Sequence, residues 1–418
     1  MRPYIFVLIF LTLIAGCGQQ GKVGKEQITW AVGKDATGAQ GELIKLFESR
    51  YPAYKVNMIE MPESASTQHD SYVTYLSTAD SSIDIYTIDV IWPAEFAAAE
   101  WIIPLDNYLK PIKKDDFLKG PIDACIYRGK LYAIPWFTDA GVLYYRKDIL
   151  GKENLTPPRT WQELIDQAIK LQEKYKIHGF VFQAQQYEGL ICNFLEYVWG
   201  NGGSIEGDGK FDIANPRACQ ALQFMVDIIH KYEIAPEGVI TYKEEESRQL
   251  FTSGKAVFHR NWPYVWAIAQ NEAKGSMVKD KVGIIPMVHN AGCKSSSVLG
   301  GWNLAISKYS KNKQAAWKFI EFLSGYEAQK LYAIKGGRLP TRKDVYRDEE
   351  VLRFAPHYRD FYQVFINARP RPVSPYYSQI SDLLQIELHQ ALTLRKTALE
   401  ALIDASKKIE EAVRQQVP

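Results

Sequence analysis

The chain reads as an α/β protein of two lobes, each a mainly parallel sheet flanked by helices. At 418 residues it exceeds the size at which a single core keeps growing, and strand-like and helix-like segments alternate along it, the pattern of sheets covered on both faces. A hydrophobic content of 46% against 23% charged residues is that of a globular chain.

Residues 28–32 form a β-type run, followed by a helical stretch with Leu43, Ile44 and Phe47 on one face and a second β-type run over 55–61. A helix-like segment at 72–76 and a short apolar strand at 83–88 come next. In such sheets ligands bind at loops beyond the carboxyl ends of strands, which singles out Asp89. Asp139 interrupts another apolar region, between Leu131-Tyr132-Ala133-Ile134-Pro135 and Val142-Leu143-Tyr144-Tyr145. Helices are expected at 161–164 and 190–199, then a turn-rich segment at 206–209, a hairpin turn at 208–212 and an amphipathic helix over 218–232. Residues 282–286 read as a strand and 290–297 as a polar loop. A strand at 304–306 and a helix at 314–323 return the chain to its first lobe. Residues 377–414 are helical, with Ile380, Leu383, Leu384, Leu388, Ala391 and Leu392 on one face and a pause near Arg395.

The first residues carry an address. Arg2 supplies positive charge, residues 4–14 are apolar apart from Thr12, and Ala15-Gly16-Cys17 closes the run with small residues. That run is far short of the ~20 residues a membrane-crossing helix needs and reads as a secretory signal. A cysteine directly after Ala-Gly resembles the bacterial lipobox, which implies that residues 1–16 are a signal peptide, that Cys17 is the acylated first residue, and that 17–26 form a tether. After Cys17 no apolar stretch is long enough to span a membrane, so the body is expected to be soluble and anchored only at its amino end.

Several function classes drop out. Fifty basic and 48 acidic residues give a net charge of +2 without a basic stripe, so no nucleic-acid partner is expected. The seven histidines lie far apart, none at metal-ligand spacing, and no phosphate loop, dinucleotide fingerprint or nucleophile elbow is present; no metal or cofactor is expected. Cys125, Cys192, Cys219 and Cys293 allow three disulfide pairings or four free thiols. Aromatics are abundant, with 10 Trp, 25 Tyr and 18 Phe, and several stand beside glycine or proline outside periodic core stretches, where flat side chains line binding clefts. Asp89 and Asp139 fit two chemistries: the acid and base pair of a glycoside hydrolase, or carboxylates that accept hydrogen bonds from sugar hydroxyls.

The run Asp84-Ile85-Tyr86-Thr87-Ile88-Asp89-Val90-Ile91-Trp92, followed by Phe96 and Trp101-Ile102-Ile103-Pro104-Leu105, resembles the first lobe of family 1 extracellular solute-binding proteins. Residues 129–135 and Thr138-Asp139-Ala140-Gly141-Val142-Leu143-Tyr144-Tyr145 resemble their hinge-crossing strand, especially in the trehalose/maltose-binding branch. Tyr187-Glu188-Gly189-Leu190, residues 251–256, Arg260-Asn261-Trp262-Pro263-Tyr264 and Leu299-Gly300-Gly301-Trp302-Asn303 continue the likeness through nearly the whole mature chain.

The resemblance implies a periplasmic-binding-protein-like fold of class II, with a cleft between lobe 1 (27–138 and 299–335) and lobe 2 (139–298 and 336–418). It implies a monomer that captures a disaccharide by hinge closure and delivers it to the permease of an ABC importer, whose ATPases are other chains. Asp89 and Asp139 then resemble hydroxyl-binding carboxylates, Trp262 and Trp302 stacking plates, with Tyr264 and the Gly301 backbone beside them. Arg371 resembles a late arginine reaching the ligand, and Gln68 or His69 an early polar contact. Two departures concern specificity: the loop Asp35-Ala36-Thr37, where relatives often place an acidic contact, and Phe137, where some carry a tyrosine. A secreted hydrolase and a sugar sensor without a transport role are the alternatives.

Overall fold

The computed structural model describes residues 24–109, 112–207, 210–366 and 368–414. The expected signal peptide, Cys17 and most of the expected tether lie outside the described residues.

In chain order the strands are β1 (Glu26–Gly33), β2 (Tyr54–Met61), β3 (Ile85–Asp89), a two-stranded ribbon β4 (Ile126–Tyr127) and β5 (Lys130–Leu131), then β6 (Ile134–Ala140), β7 (Val142–Arg146) and β8 (His178–Val181). A second ribbon, β9 (Glu206–Gly207) and β10 (Lys210–Phe211), precedes β11 (Ala256–Asn261), β12 (Val282–Pro286), β13 (Leu299–Ile306) and β14 (Leu339–Pro340). One sheet has the order β14-β6-β13-β3-β1-β2 and the other β12-β7-β11-β8. β3 and β6 are buried along their whole length, as interior strands covered on both faces must be.

The sheets are mixed, which corrects the expectation of mainly parallel ones. β1 pairs in parallel with β2 and β3, and β8 with β11. β13 runs antiparallel to both β3 and β6, and β7 antiparallel to both β11 and β12. The reason is connectivity: β7 follows β6 of the other sheet across Gly141 alone, and β13 follows β12 of the other sheet, so neither is delivered by the helical crossover that brings in a parallel neighbour. Asp139 lies within β6, one residue from its end. With it, residues 139–140 and 339–340 belong to the first sheet, where the sequence had assigned both pairs to the second lobe.

Apolar cores follow the sheets. One gathers residues between Ile28 and Phe137 with those between Leu304 and Tyr332. The other gathers residues from Ala140 to Val298 with those from Ala333 to Ile409, joined by Leu118. Its centre is the helix Glu188–Gly200, buried on every face. Local signals explain the better-defined helix starts: Thr160 forms a capping box with Glu163 ahead of Trp161–Tyr175, and the Asn215 side chain accepts from the backbone of Arg217 and Ala218 ahead of Pro216–His230. The pause expected near Arg395 is the break between Tyr377–Leu392 and Ala398–Arg414. Among the described residues, no helix is long and apolar enough to cross a membrane.

Three segments meet where the chain passes between the sheets. The Ser297 hydroxyl donates to the Gly141 carbonyl at 2.7 Å, the Arg369 N–H to the Ser297 carbonyl at 2.9 Å, and the Leu299 N–H to the Arg369 carbonyl at 2.7 Å.

Candidate functional site

A cavity of about 270 Å³ opens between the two sheets, near the lower end of the ~300–1,000 Å³ usual for small-molecule sites. The first sheet contributes Asp89 at the end of β3, Phe137 and Asp139 from β6, and Gly300, Gly301 and Trp302 from β13. Gln68 reaches it from the helix Ala65–Ser77. Facing them are Tyr187, Glu188, Glu244, Trp262 and Tyr264, and Arg338 and Arg371 complete the lining from the last third of the chain.

The carboxylates and guanidiniums are interlocked. Asp89 Oδ1 accepts from Arg371 Nη2 at 2.8 Å and from the Ile91 N–H at 3.2 Å. It does not cap the helix starting at Pro93, whose N-cap is Trp92. Arg371 Nη1 donates to Glu188 Oε1 at 2.8 Å, and the Tyr377 hydroxyl donates to the same oxygen at 2.8 Å. Burial pushes the Asp89 carboxyl above its ordinary range, against the pull of Arg371. Asp139 is less well matched. Its Oδ2 lies 3.8 Å from Arg338 Nη1, while its buried Oδ1 has no hydrogen-bond partner. Burial pushes its pKa up to about 7, a rise that Arg338 opposes.

Both indoles line the cavity and are held in place by packed neighbours. Trp262 Nε1 donates to Glu244 Oε1 at 3.2 Å, and the Arg260 guanidinium lies 4.3 Å from the Trp262 ring centre. Trp302 meets Trp92 edge-on, with ring centres 5.4 Å apart. The Tyr264 hydroxyl donates to Glu245 Oε1 at 2.6 Å, and Arg338 stacks over both Tyr264 and Phe137, at 4.6 and 4.8 Å. Two glycines make this closeness possible. A Cβ on Gly300 would stand 3.1 Å from the Trp262 ring, and Gly301 has φ 128°, with a Cβ placed 2.5 Å from the Phe137 carbonyl oxygen; neither position tolerates a side chain without movement.

Asp89, Asp139, Trp262, Tyr264, Gly301, Trp302, Arg371 and Gln68 thus converge on one cavity. Gln68 is itself engaged, donating from Nε2 to the Tyr72 hydroxyl at 2.7 Å and to the Thr87 carbonyl at 3.3 Å. His69 is a correction: it does not line the cavity. Its ring packs against Trp92 and Phe96, and Nε2 meets Glu95 Oε1 at 2.9 Å. Burial alone would lower its pKa, but the Glu95 hydrogen bond and charge raise it overall. Asp35 is also outside the lining, its carboxylate taken up by the backbone N–H groups of Thr37 and Gln40 at 2.9 and 2.8 Å.

Glu188, Glu244, Tyr187 and Arg338 were not foreseen as lining residues. The match Tyr187-Glu188-Gly189-Leu190 and the acidic run Glu244-Glu245-Glu246 were signals for three of them; Arg338, following the Gly336-Gly337 turn, had none. Cys125, Cys192, Cys219 and Cys293 are free thiols, the first two buried. Among the described residues, no group of three or more His, Cys, Asp or Glu side chains is placed to hold a metal ion.

Residues 31–330 match the model of the bacterial extracellular solute-binding protein family. The chain belongs to that family; it is an exported solute-binding protein and not an enzyme, and the hydrolase alternative for Asp89 and Asp139 falls. It is 36% identical over 358 residues, 83% of this chain and 84% of the relative, to a probable ABC transporter-binding protein of Deinococcus radiodurans. The structure of maltose-bound T. maritima MalE3 matches with a TM-score of 0.89 at 42% identity, covering 92% of this chain and 99% of that one. An ABC transporter solute-binding protein from Thermotoga lettingae bound with α-D-tagatose matches with a TM-score of 0.85 at 26% identity, covering 93% and 99%. The two-lobe α/β fold of these binding proteins is the fold of this chain.

Proposed function

We propose that the chain captures a neutral sugar of disaccharide size, maltose-like or trehalose-like, and delivers it to the membrane subunits of an ABC importer. The observation that carries this reading is the convergence, in one cavity between two sheets, of the buried carboxylates Asp89 and Asp139 with the half-buried indoles Trp262 and Trp302. A sugar presents hydroxyls around its rim and C–H surface on its faces. The rim calls for carboxylates, which accept from adjacent hydroxyls, and the faces call for aromatic plates. Asp139 Oδ1, buried and unpartnered, is the acceptor most in need of a donor, and the maltose carried by the 42%-identical relative supports the choice of ligand.

In this reading the lobes close about the laced segments at Gly141, Ser297 to Leu299, and Arg369. Arg371 contacts the ligand or holds Asp89 ready for it, Gln68 and Tyr264 flank the plates, and the chain acts as a monomer tethered through an acylated Cys17. A thermal-shift comparison of maltose, trehalose, tagatose and mannitol tests the ligand class. A ligand at ~100-fold over its Kd adds about 2.7 kcal/mol to stability, a rise in Tm of several degrees; no rise with any sugar overturns the proposal. Retention of the Cys17→Ala variant in the membrane fraction would overturn the anchor.

A further inference from the structure

Arg260 in β11 and Glu196 on the helix Glu188–Gly200 form an ion pair with no exposed side-chain surface. Arg260 donates from Nε to Glu196 Oε2 and from Nη2 to Oε1, both at 2.8 Å, and from Nη1 to Gln183 Oε1 at 3.0 Å. Removing two full charges from water is costly, and exchanging such a pair for apolar side chains often leaves a protein no less stable. Stability is thus a weak reason for this pair to be here.

Its neighbours supply a stronger one. Gly141, the lone residue between β6 and β7, packs directly on the pair: a Cβ there would overlap the Glu196 carboxylate and stand 2.6 Å from Arg260 Nη2. Val298, immediately before β13, donates its N–H to Glu196 Oε1 at 3.1 Å. Two of the three segments that meet between the sheets, at Gly141 and Val298, therefore rest on one carboxylate. The guanidinium bonded to it stacks on Trp262 at 4.3 Å, and the Trp262 ring edge reaches Gly300 in β13.

We propose that Glu196 and Arg260 are positioning residues for ligand capture: they hold the Trp262 plate in its orientation and tie it to the two crossing segments, so that plate and hinge share one buried support. This rests on the reading of Trp262 as a sugar-stacking plate. A planar guanidinium is suited to the task because it binds a carboxylate with two parallel hydrogen bonds and still offers a flat face to an indole, whereas an ammonium keeps the charge and loses the face. Rotation at Gly141 or Val298 has to work against a carboxylate whose partner is fixed, and a displaced Trp262 has to drag the same guanidinium.

The test uses Arg260→Lys and the double variant Glu196→Leu/Arg260→Met, which removes both charges together and so leaves neither buried alone. Trp262 emission is isolated by subtracting the spectrum of a matching Trp262→Phe protein without ligand, and maltose affinity is measured by calorimetry well below each variant's Tm. Both variants are expected to shift Trp262 emission and to weaken maltose affinity on the order of ten-fold, with the double variant still unfolding cooperatively. Wild-type emission and wild-type affinity in a folded double variant would overturn the proposal, as would an affinity loss that only tracks the fraction of unfolded protein. Should wild-type protein bind no maltose, the sugar reading fails by itself, and unchanged Trp262 emission in the variants still overturns the positioning role.

Discussion

Asp139 should set how ligand binding responds to pH. The residue is 4% exposed, one carboxylate oxygen has no partner, and the nearest cation, Arg338, stands 3.8 Å away. Burial raises the carboxyl from 3.8 to about 7 despite Arg338. A carboxyl raised in the folded state contributes stability that is fully present below its unfolded value and is lost as pH climbs through about 7. At ~1.4 kcal/mol per unit, the rise corresponds to roughly 4 kcal/mol. Ligand binding carries the opposite sign, because hydroxyls donate to the ionised form. If only that form binds, affinity at about pH 6 lies roughly ten-fold below its plateau, and at about pH 5 roughly a hundred-fold. Asp139→Asn removes the titration while keeping one acceptor oxygen. It should flatten this dependence and weaken the plateau by ~1–3 kcal/mol. Asp89 is raised as well, so the difference between wild type and Asp139→Asn is the quantity to read. Calorimetric titrations with maltose, paired with thermal unfolding of the ligand-free protein across the same pH range, measure both signs. A wild-type affinity that does not change between about pH 5 and about pH 8 refutes the reasoning.

Arg371→Met leaves Asp89 and Glu188 buried without their shared cation, and should cost roughly 3–5 kcal/mol in denaturant unfolding; a stability equal to wild type would mean that the two carboxylates do not depend on it. Gly301→Ala forces a Cβ to within 2.5 Å of the Phe137 carbonyl at φ 128°, so unfolding should show a loss of ~1–3 kcal/mol together with weaker maltose binding through a displaced Trp302. His69→Ala, which removes a side chain packed on Trp92 and paired with Glu95 outside the cavity, should leave maltose affinity unchanged in calorimetry; a clear loss would return His69 to the site.

What the sequence disclosed, and what it withheld, follows from the range of each interaction. The order of strands and helices was legible because hydrophobic periodicity is local. Trp262 and Trp302 were legible because proline and two glycines beside them break any core periodicity. Pairing direction was not, since nothing within β7 or β13 records that each arrives from the other lobe. Gln68 and His69 could not be separated, because adjacent residues on a helix point about 100° apart and only the docking of Ala65–Ser77 decides which faces the cavity. Arg371 finds Glu188 across 183 residues and Asp89 across 282. Glu188 itself, quoted within a matching motif, acquires its place only through that distant partner. Arg338 lies at a helix end, where sequence alone gives no direction to a long side chain.

On the proposed reading, acidic and indole side chains from both lobes grip one sugar without altering it. Calorimetric titration of the wild-type protein with maltose and trehalose, repeated on Trp262→Ala and Trp302→Ala, tests it most directly. The expected result is saturable binding of one sugar molecule per chain, recovered chemically intact, and a large loss of affinity in both variants while each keeps a cooperative unfolding transition. Undiminished binding in both variants, or no binding of either sugar by the wild type, contradicts it.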